Sequence, residues 1–164
     1  MKKIFITILL LILLQPAVFA EETDHLEQGK AHFKNGFYRL TPKHRQAEAT
    51  QEYTQAIHEF KKVITVHPNN KDAYRYLGRV YSVQHMPAKA AEAYLKVVEL
   101  DPQEVDTYIL AAVELIGSQQ YDKAIQTLQA AKEHTGNKSV LQKIDVYINR
   151  IEVYRNDKEV SDVK

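Results

Sequence analysis

Tyr74-Arg75-Tyr76-Leu77-Gly78-Arg79-Val80-Tyr81, YRYLGRVY, is the stretch on which the fold turns. Tyr74, Leu77 and Tyr81 recur at intervals of three and four, which marks one face of a helix. Gly78 sits inside that helix, at a cost of about 1 kcal/mol relative to alanine. A close neighbour that tolerates no side chain there would offset the cost. Just downstream, Pro87 suits the first turn of a second helix, because its missing N–H is unneeded there. Ala90, Tyr94 and Val97 give that helix its own apolar face, and Asp101-Pro102 ends it.

The pattern repeats at a shift of 34 residues, a period that marks a helical repeat array. Ala56, Ala90 and Ala124 align, as do Phe60, Tyr94 and Leu128, then Val63, Val97 and Ala131. Pro68 aligns with Pro102, with Gly136 in the third place. Upstream, Tyr74 aligns with Tyr108, Leu77 with Ala111, Gly78 with Ala112 and Tyr81 with Leu115.

A unit reading W-x2-L-G-x2-Y, then A-x3-F, then P resembles the tetratricopeptide repeat. Residues 71–104 match it with Tyr74 for the tryptophan, then Leu77-Gly78, Tyr81, Ala90, Tyr94 and Pro102. Residues 105–138 match more loosely, with small residues kept at Ala112, Ala124 and Ala131. The resemblance implies an all-α fold: a right-handed superhelical stack of antiparallel helix pairs, closed by a capping helix. In it, Gly78 marks the point where the two helices of a unit cross most closely.

The first unit, residues 24–70, is split. Its second helix shows Ala56, Phe60, Val63 and Pro68. Residues 26–38, LEQGKAHFKNGFY, resemble its first helix, with Gly29 at the close crossing, Phe33 in the core and Gly36 in the turn. Gly29 to Ala56 spans 27 residues where Gly78 to Ala90 spans 12, an excess of 15. Thr41-Pro42 is a good helix start, and no glycine or proline follows until Pro68. The expectation is one long helix over 41–66, extended at its start by about four turns or roughly 22 Å. The inserted segment would be a solvated helix or a loose loop, or else a contact arm for a partner or a second copy of the chain.

At the other end, Val140, Leu141, Ile144, Tyr147, Ile148 and Ile151 predict a capping helix over 139–156, followed by a flexible tail at 157–164. The first twenty residues read as an export signal: Lys2-Lys3, an apolar run from Ile4 to Leu14, then Val18-Phe19-Ala20. About eleven apolar residues are short for a bilayer span. An uncleaved anchor is the alternative. The expected mature chain, 21–164, loses two lysines, so its formal net charge goes from +1 to −1. The expected location is the periplasm or the exterior.

Chemistry is sparse. At 45% hydrophobic and 26% charged the chain is globular in class. With no cysteine it has neither disulfides nor thiolate chemistry. Its near-neutral charge gives no field for nucleic acid. His25 and His32 stand seven apart on one helical face, without a metal-ligand spacing. No Gly-x-Ser-x-Gly or glycine-rich phosphate loop occurs. The expectation is a non-enzyme without cofactor or metal.

What the resemblance does imply is a concave groove that holds a partner's peptide or helix. Carried over by position, its residues are Lys30 and Phe33, then Asp72, Arg75, Arg79 and Ser82, then Asp106, Ile109, Val113 and Ile116. Arg75 and Arg79 would meet an acidic group. Ile109, Val113 and Ile116 would form an apolar strip, exposed unless the C-terminal helix covers it. Leu26 and Lys30 depart from the lysine and asparagine of the family's carboxylate clamp, so that clamp is not expected. Two roles follow: an exported protein-interaction module, as a scaffold for an envelope complex, or a self-associating protein that pairs through helix 41–66 or the Ile109 strip.

Overall fold

A computed structural model of the chain describes residues 23–162. The expected signal at 1–20 lies outside them. Among the described residues all regular structure is helical. The first helix, α1, is α-helical over 23–34 and continues as a π-helical turn, Asn35–Leu40, and a short 3-10 turn, Thr41–Lys43. Then come α2 (Gln46–Val66), α3 (Lys71–Val83), α4 (Pro87–Leu100), α5 (Val105–Gly117), α6 (Tyr121–Glu133) and α7 (Lys138–Asp162). The described residues form two compact units, one ending at Ala73 and the other beginning at Tyr74, divided within α3.

The turn inside each helix pair is the same device three times. His44, His85 and Gln119 each take the left-handed conformation, with φ of 56°, 56° and 62°. The next residue's N–H donates to the carbonyl five residues back: Arg45 to Leu40 (3.2 Å), Met86 to Tyr81 (2.9 Å) and Gln120 to Leu115 (2.8 Å). These bonds satisfy carbonyls that the ending helix leaves open. The second helix starts one residue later, at Gln46, Pro87 or Tyr121.

In the second unit, a Cβ on Gly78 would lie 2.5 Å from Cε1 of Tyr94, whose ring is buried against α3. That contact is the close neighbour that the glycine's cost requires. Burial drives the Tyr94 phenol up to about 12, with Glu114 adding to the shift and Arg79 opposing it. The core continues through Ala112, Leu115, Leu128, Ile144, Ile148 and Ile151, so α7 buries its apolar stripe on the preceding pair. The helix runs on to Asp162, past Asn156, where a flexible tail was expected.

The first unit corrects the expectation of one long helix over 41–66. The chain reverses at His44, and α2 begins only at Gln46. Gly36 is not the turn either. It is a second close crossing: a Cβ there would lie 2.7 Å from Cε1 of Tyr53, as one on Gly29 would lie 2.5 Å from Cε1 of Phe60. Both helices of the pair are therefore lengthened, and they pack along the added length. Gly29 and Gly36 are seven apart, as are Tyr53 and Phe60.

The polar edge of the pair keeps the same register. His25 Nδ1 donates to Glu59 Oε2 at 2.5 Å, and His32 Nδ1 to Glu52 Oε2 at 2.7 Å. Burial raises the Glu59 carboxyl, but its bonds to Lys62 and His25 together hold it below the ordinary range.

One further residue is absorbed by the π turn. Gly78 and Ala112 stand seven residues before their left-handed turn residues, whereas Gly36 stands eight before His44. A π turn holds one more residue than an α turn. The N–H of Thr41 closes it on the carbonyl of Gly36. The hydroxyl of Thr41 donates to the same carbonyl at 2.9 Å and meets the Tyr53 hydroxyl at 3.0 Å.

Candidate functional site

The expected groove residues divide between the two units. In the first, Lys30 bonds to Glu27 at 2.7 Å, and Asp72 is exposed in the first turn of α3. Phe33 is a correction. It is 2% exposed and stacks on Phe37 with ring centroids 5.6 Å apart, so it belongs to the core and not to a groove surface. The reason is register: its face of α1 is the one that meets α2, near Tyr53.

In the second unit, Arg75 is occupied within the chain. Its Nε and Nη2 donate to the two carboxylate oxygens of Glu104 at 3.0 and 2.6 Å. Thr107 donates to the same carboxylate at 2.6 Å. The Arg79 guanidinium lies 5.3 Å from the Tyr76 ring centroid. Ser82 donates to Glu114 at 2.5 Å. These side chains tie α3 to the start and middle of α5. Asp106 is exposed.

Ile109, Val113 and Ile116 do converge, and the cover is partial: Ile109 and Ile116 are half-buried against the core, while Val113 stays exposed. They line one wall of an apolar cleft of about 260 Å³. Ala112 and Leu128 line it deeper in, and Tyr121, Tyr147, Ile151 and Tyr154 complete it. Val113 is 55% exposed and Tyr154 58%, so the cleft opens to solvent. Tyr121 and Tyr154 meet edge to face with ring centroids 5.7 Å apart. Two ion pairs also join α7 to α6: Arg155 with Asp122 at 2.5 Å and Lys132 with Asp145 at 2.8 Å. Being exposed, they add little stability, and the far wall is held mainly by the buried stripe Ile144, Ile148 and Ile151. Arg150 stands among the lining residues, and no carboxylate among the described residues lies within ion-pair distance of it.

The α7 wall was legible only in part. The stripe from Val140 to Ile151 indicated which face is buried, and Tyr154 continues it by three residues. That α7 would leave a gap beside Val113 depends on how the helices pack, which no stripe encodes.

Three helix pairs or part-pairs joined by one recurring turn define a helical-repeat protein. Residues 71–104 match the family model described as tetratricopeptide repeat. Those residues are one tetratricopeptide repeat, and the fold of the chain is the all-α helical repeat of tetratricopeptide domains. No curated protein matches it.

Among solved structures, the fold is similar to the TPR2B domain of yeast Sti1 in its pHsp70 complex. That match has 20% identity and a TM-score of 0.59, over 82% of this chain and 98% of that one. It is also similar to the first TPR of Spaghetti bound to the HSP90 peptide SRMEEVD, with 14% identity and a TM-score of 0.53, over 79% and 94%. The Sgt2 TPR domain from Aspergillus fumigatus matches with 18% identity and a TM-score of 0.51, over 78% and 82%.

Proposed function

We propose that this chain is an exported, non-catalytic protein-interaction module whose second unit holds a short apolar segment of a partner protein. The observation that carries this reading is the open apolar cleft between α5 and α7, floored by Ala112 and Leu128. Exposed apolar surface of this kind is costly in water unless something is there to cover it. An amphipathic helix or extended peptide with two or three large apolar side chains fits about 260 Å³. A carboxylate on the same segment would meet Arg150. Support for a peptide-sized ligand comes from the similar folds, which were solved with pHsp70 or HSP90 peptide bound. The export half rests on Lys2-Lys3 and the apolar run after them. A scaffold role in an envelope complex accords with both.

The test is a peptide-array screen with the chain from Glu21 to Lys164, repeated with Val113→Asp and Tyr154→Ser. The expected ligands are apolar peptides carrying an acidic residue, with affinity reduced at least about tenfold by Val113→Asp. Unchanged affinity in both variants would remove the cleft from the reading. A second copy of the chain is the competing occupant, and sedimentation equilibrium of the same variants separates the two. For export, residues 1–20 fused to a reporter that is active only outside the cytoplasm should give activity, and loss of Lys2-Lys3 with Leu10→Arg should abolish it.

A further inference from the structure

The lengthened first pair ends in a second cleft, unlike the first in chemistry. It has a volume of about 560 Å³ and lies where the π turn, the 3-10 turn and the start of α2 meet. Arg39, Lys43 and Arg45 line it together with the amides of Asn35, Gln51 and Gln55. From Lys34 to Arg45 the sequence carries four basic residues and no acidic one, in a chain with a formal net charge of only +1. The carboxylates lining the cleft are already committed. Glu52 accepts from His32 at 2.7 Å and from Asn35 at 2.6 Å, and Glu48 is paired with Arg45. Arg39 and Lys43 have no carboxylate within ion-pair distance among the described residues.

We infer that this cleft is a docking site for an acidic segment of a partner protein, with Arg39 and Lys43 meeting its carboxylates. Charge complementarity selects the occupant. Two cations facing one concavity raise its potential, and a guanidinium accepts a carboxylate in a two-bond fork. The amides suit a peptide. Gln51 and Gln55 lie one turn apart on α2, so they offer a donor and an acceptor at successive points along an extended backbone. The committed pairs do structural work here: His32, Asn35 and Glu52 join the first helix to α2 beside the cleft. The site is independent of the apolar cleft, and neither needs the other.

The experiment is fluorescence anisotropy with a labelled hexaglutamate peptide and the chain from Glu21 to Lys164. Saturable binding is expected, weakening steeply with salt because the contacts are exposed charges. Arg39→Gln with Lys43→Gln should weaken it by about tenfold or more. Both side chains are exposed, so the thermal midpoint should not move. Val113→Asp, in the other cleft, should leave hexaglutamate binding unchanged, so failure of one site is distinguishable from failure of the other. Binding that survives the double substitution overturns the proposal. So does a chain that ignores hexaglutamate but sediments with phosphatidylglycerol vesicles, since the basic tip would then be a membrane contact. Equal binding of hexalysine would show that charge does not select the ligand, with the same consequence.

Discussion

Replacing Gly78 with alanine sets two known effects against each other, and the structure decides between them. In an open helix the change stabilises by about 1 kcal/mol through helix propensity. Here the new Cβ would lie 2.5, 2.7 and 2.8 Å from three atoms of the Tyr94 ring. Ordinary contact begins at 3.4 Å, so the ring must retreat by about 1 Å. It is 3% exposed in a packed interior and has nowhere free to go. Overpacking of this sort costs about 1–3 kcal/mol. Taking the upper half of that range and subtracting the propensity gain leaves a net loss of about 1–2 kcal/mol.

The assay is urea unfolding followed by helical circular dichroism, run as a double-mutant cycle with Tyr94→Val. Valine lacks every ring atom in the clash. In that background Gly78→Ala should stabilise by about 0.5–1 kcal/mol, so the sign reverses and the coupling is about 2 kcal/mol. If Gly78→Ala stabilises the natural chain, or acts equally in both backgrounds, close approach is not why glycine stands there.

Gly136 offers the opposite case, with nothing within 4 Å of the place a Cβ would take, so Gly136→Ala should change the unfolding free energy by less than about 0.5 kcal/mol. At high pH, Tyr94 should report itself. Its folded pKa of about 12 lies above the ordinary 10, so the folded state holds the proton longer. The stability this confers is complete below pH 10 and is lost as pH rises through about 12, and Tyr94→Phe should flatten that loss in an alkaline denaturation series. At low pH the sign is the reverse for Glu59, whose carboxyl is held below its ordinary 4.5. The stability it contributes is present above pH 4.5 and falls away below it, so Glu59→Gln should be less stable than the natural chain at pH 7 but lose less on acidification to about pH 3.

How much of this could be read beforehand differs from one helix pair to the next. The second pair was legible because its glycine, alanine and tyrosine stand at the family's spacing, and spacing along a helix is what determines which residues meet. The apolar strip on α5 was legible as a strip, since Ile109, Val113 and Ile116 recur at three and four. Its partner wall was not. A cleft is a property of how two helices pack, here where α7 buries Ile144, Ile148 and Ile151 and leaves Val113 open. Arg75 misled for a related reason. From sequence it is a free cation on an exposed face, but its acceptor Glu104 lies 29 residues downstream, at the entry to the next helix. The error at 41–66 came from reading Thr41-Pro42 as a helix start. Threonine and proline serve equally well in the short 3-10 turn that they occupy.

The excess of 15 residues in the first pair resolves into seven, one and seven. HLEQG at 25–29 is echoed by HFKNG at 32–36, and ATQEY at 49–53 by AIHEF at 56–60. Seven residues make nearly two helical turns, so each echo returns to the same face with a drift of about 20°. That is why histidine meets glutamate twice and glycine meets an aromatic ring twice along one pair. The single remaining residue sits in the π turn before His44. Both helices of this pair therefore gain the same length, which keeps their contacts in register.

Deleting residues 30–36 together with 53–59 should leave a folded pair of ordinary length, because it places Gly29 against Phe60 and His25 beside Glu52 in the spacing now held by Gly36 and Tyr53. Deleting either segment alone shortens one helix by about 10 Å and leaves the buried face of the other uncovered. The paired deletion should keep a cooperative thermal transition by circular dichroism, while each single deletion should lose cooperativity or lower the midpoint by more than about 10 °C, as expected for a loss of several kcal/mol. Single deletions that melt like the paired one would show that the two helices do not depend on a shared register.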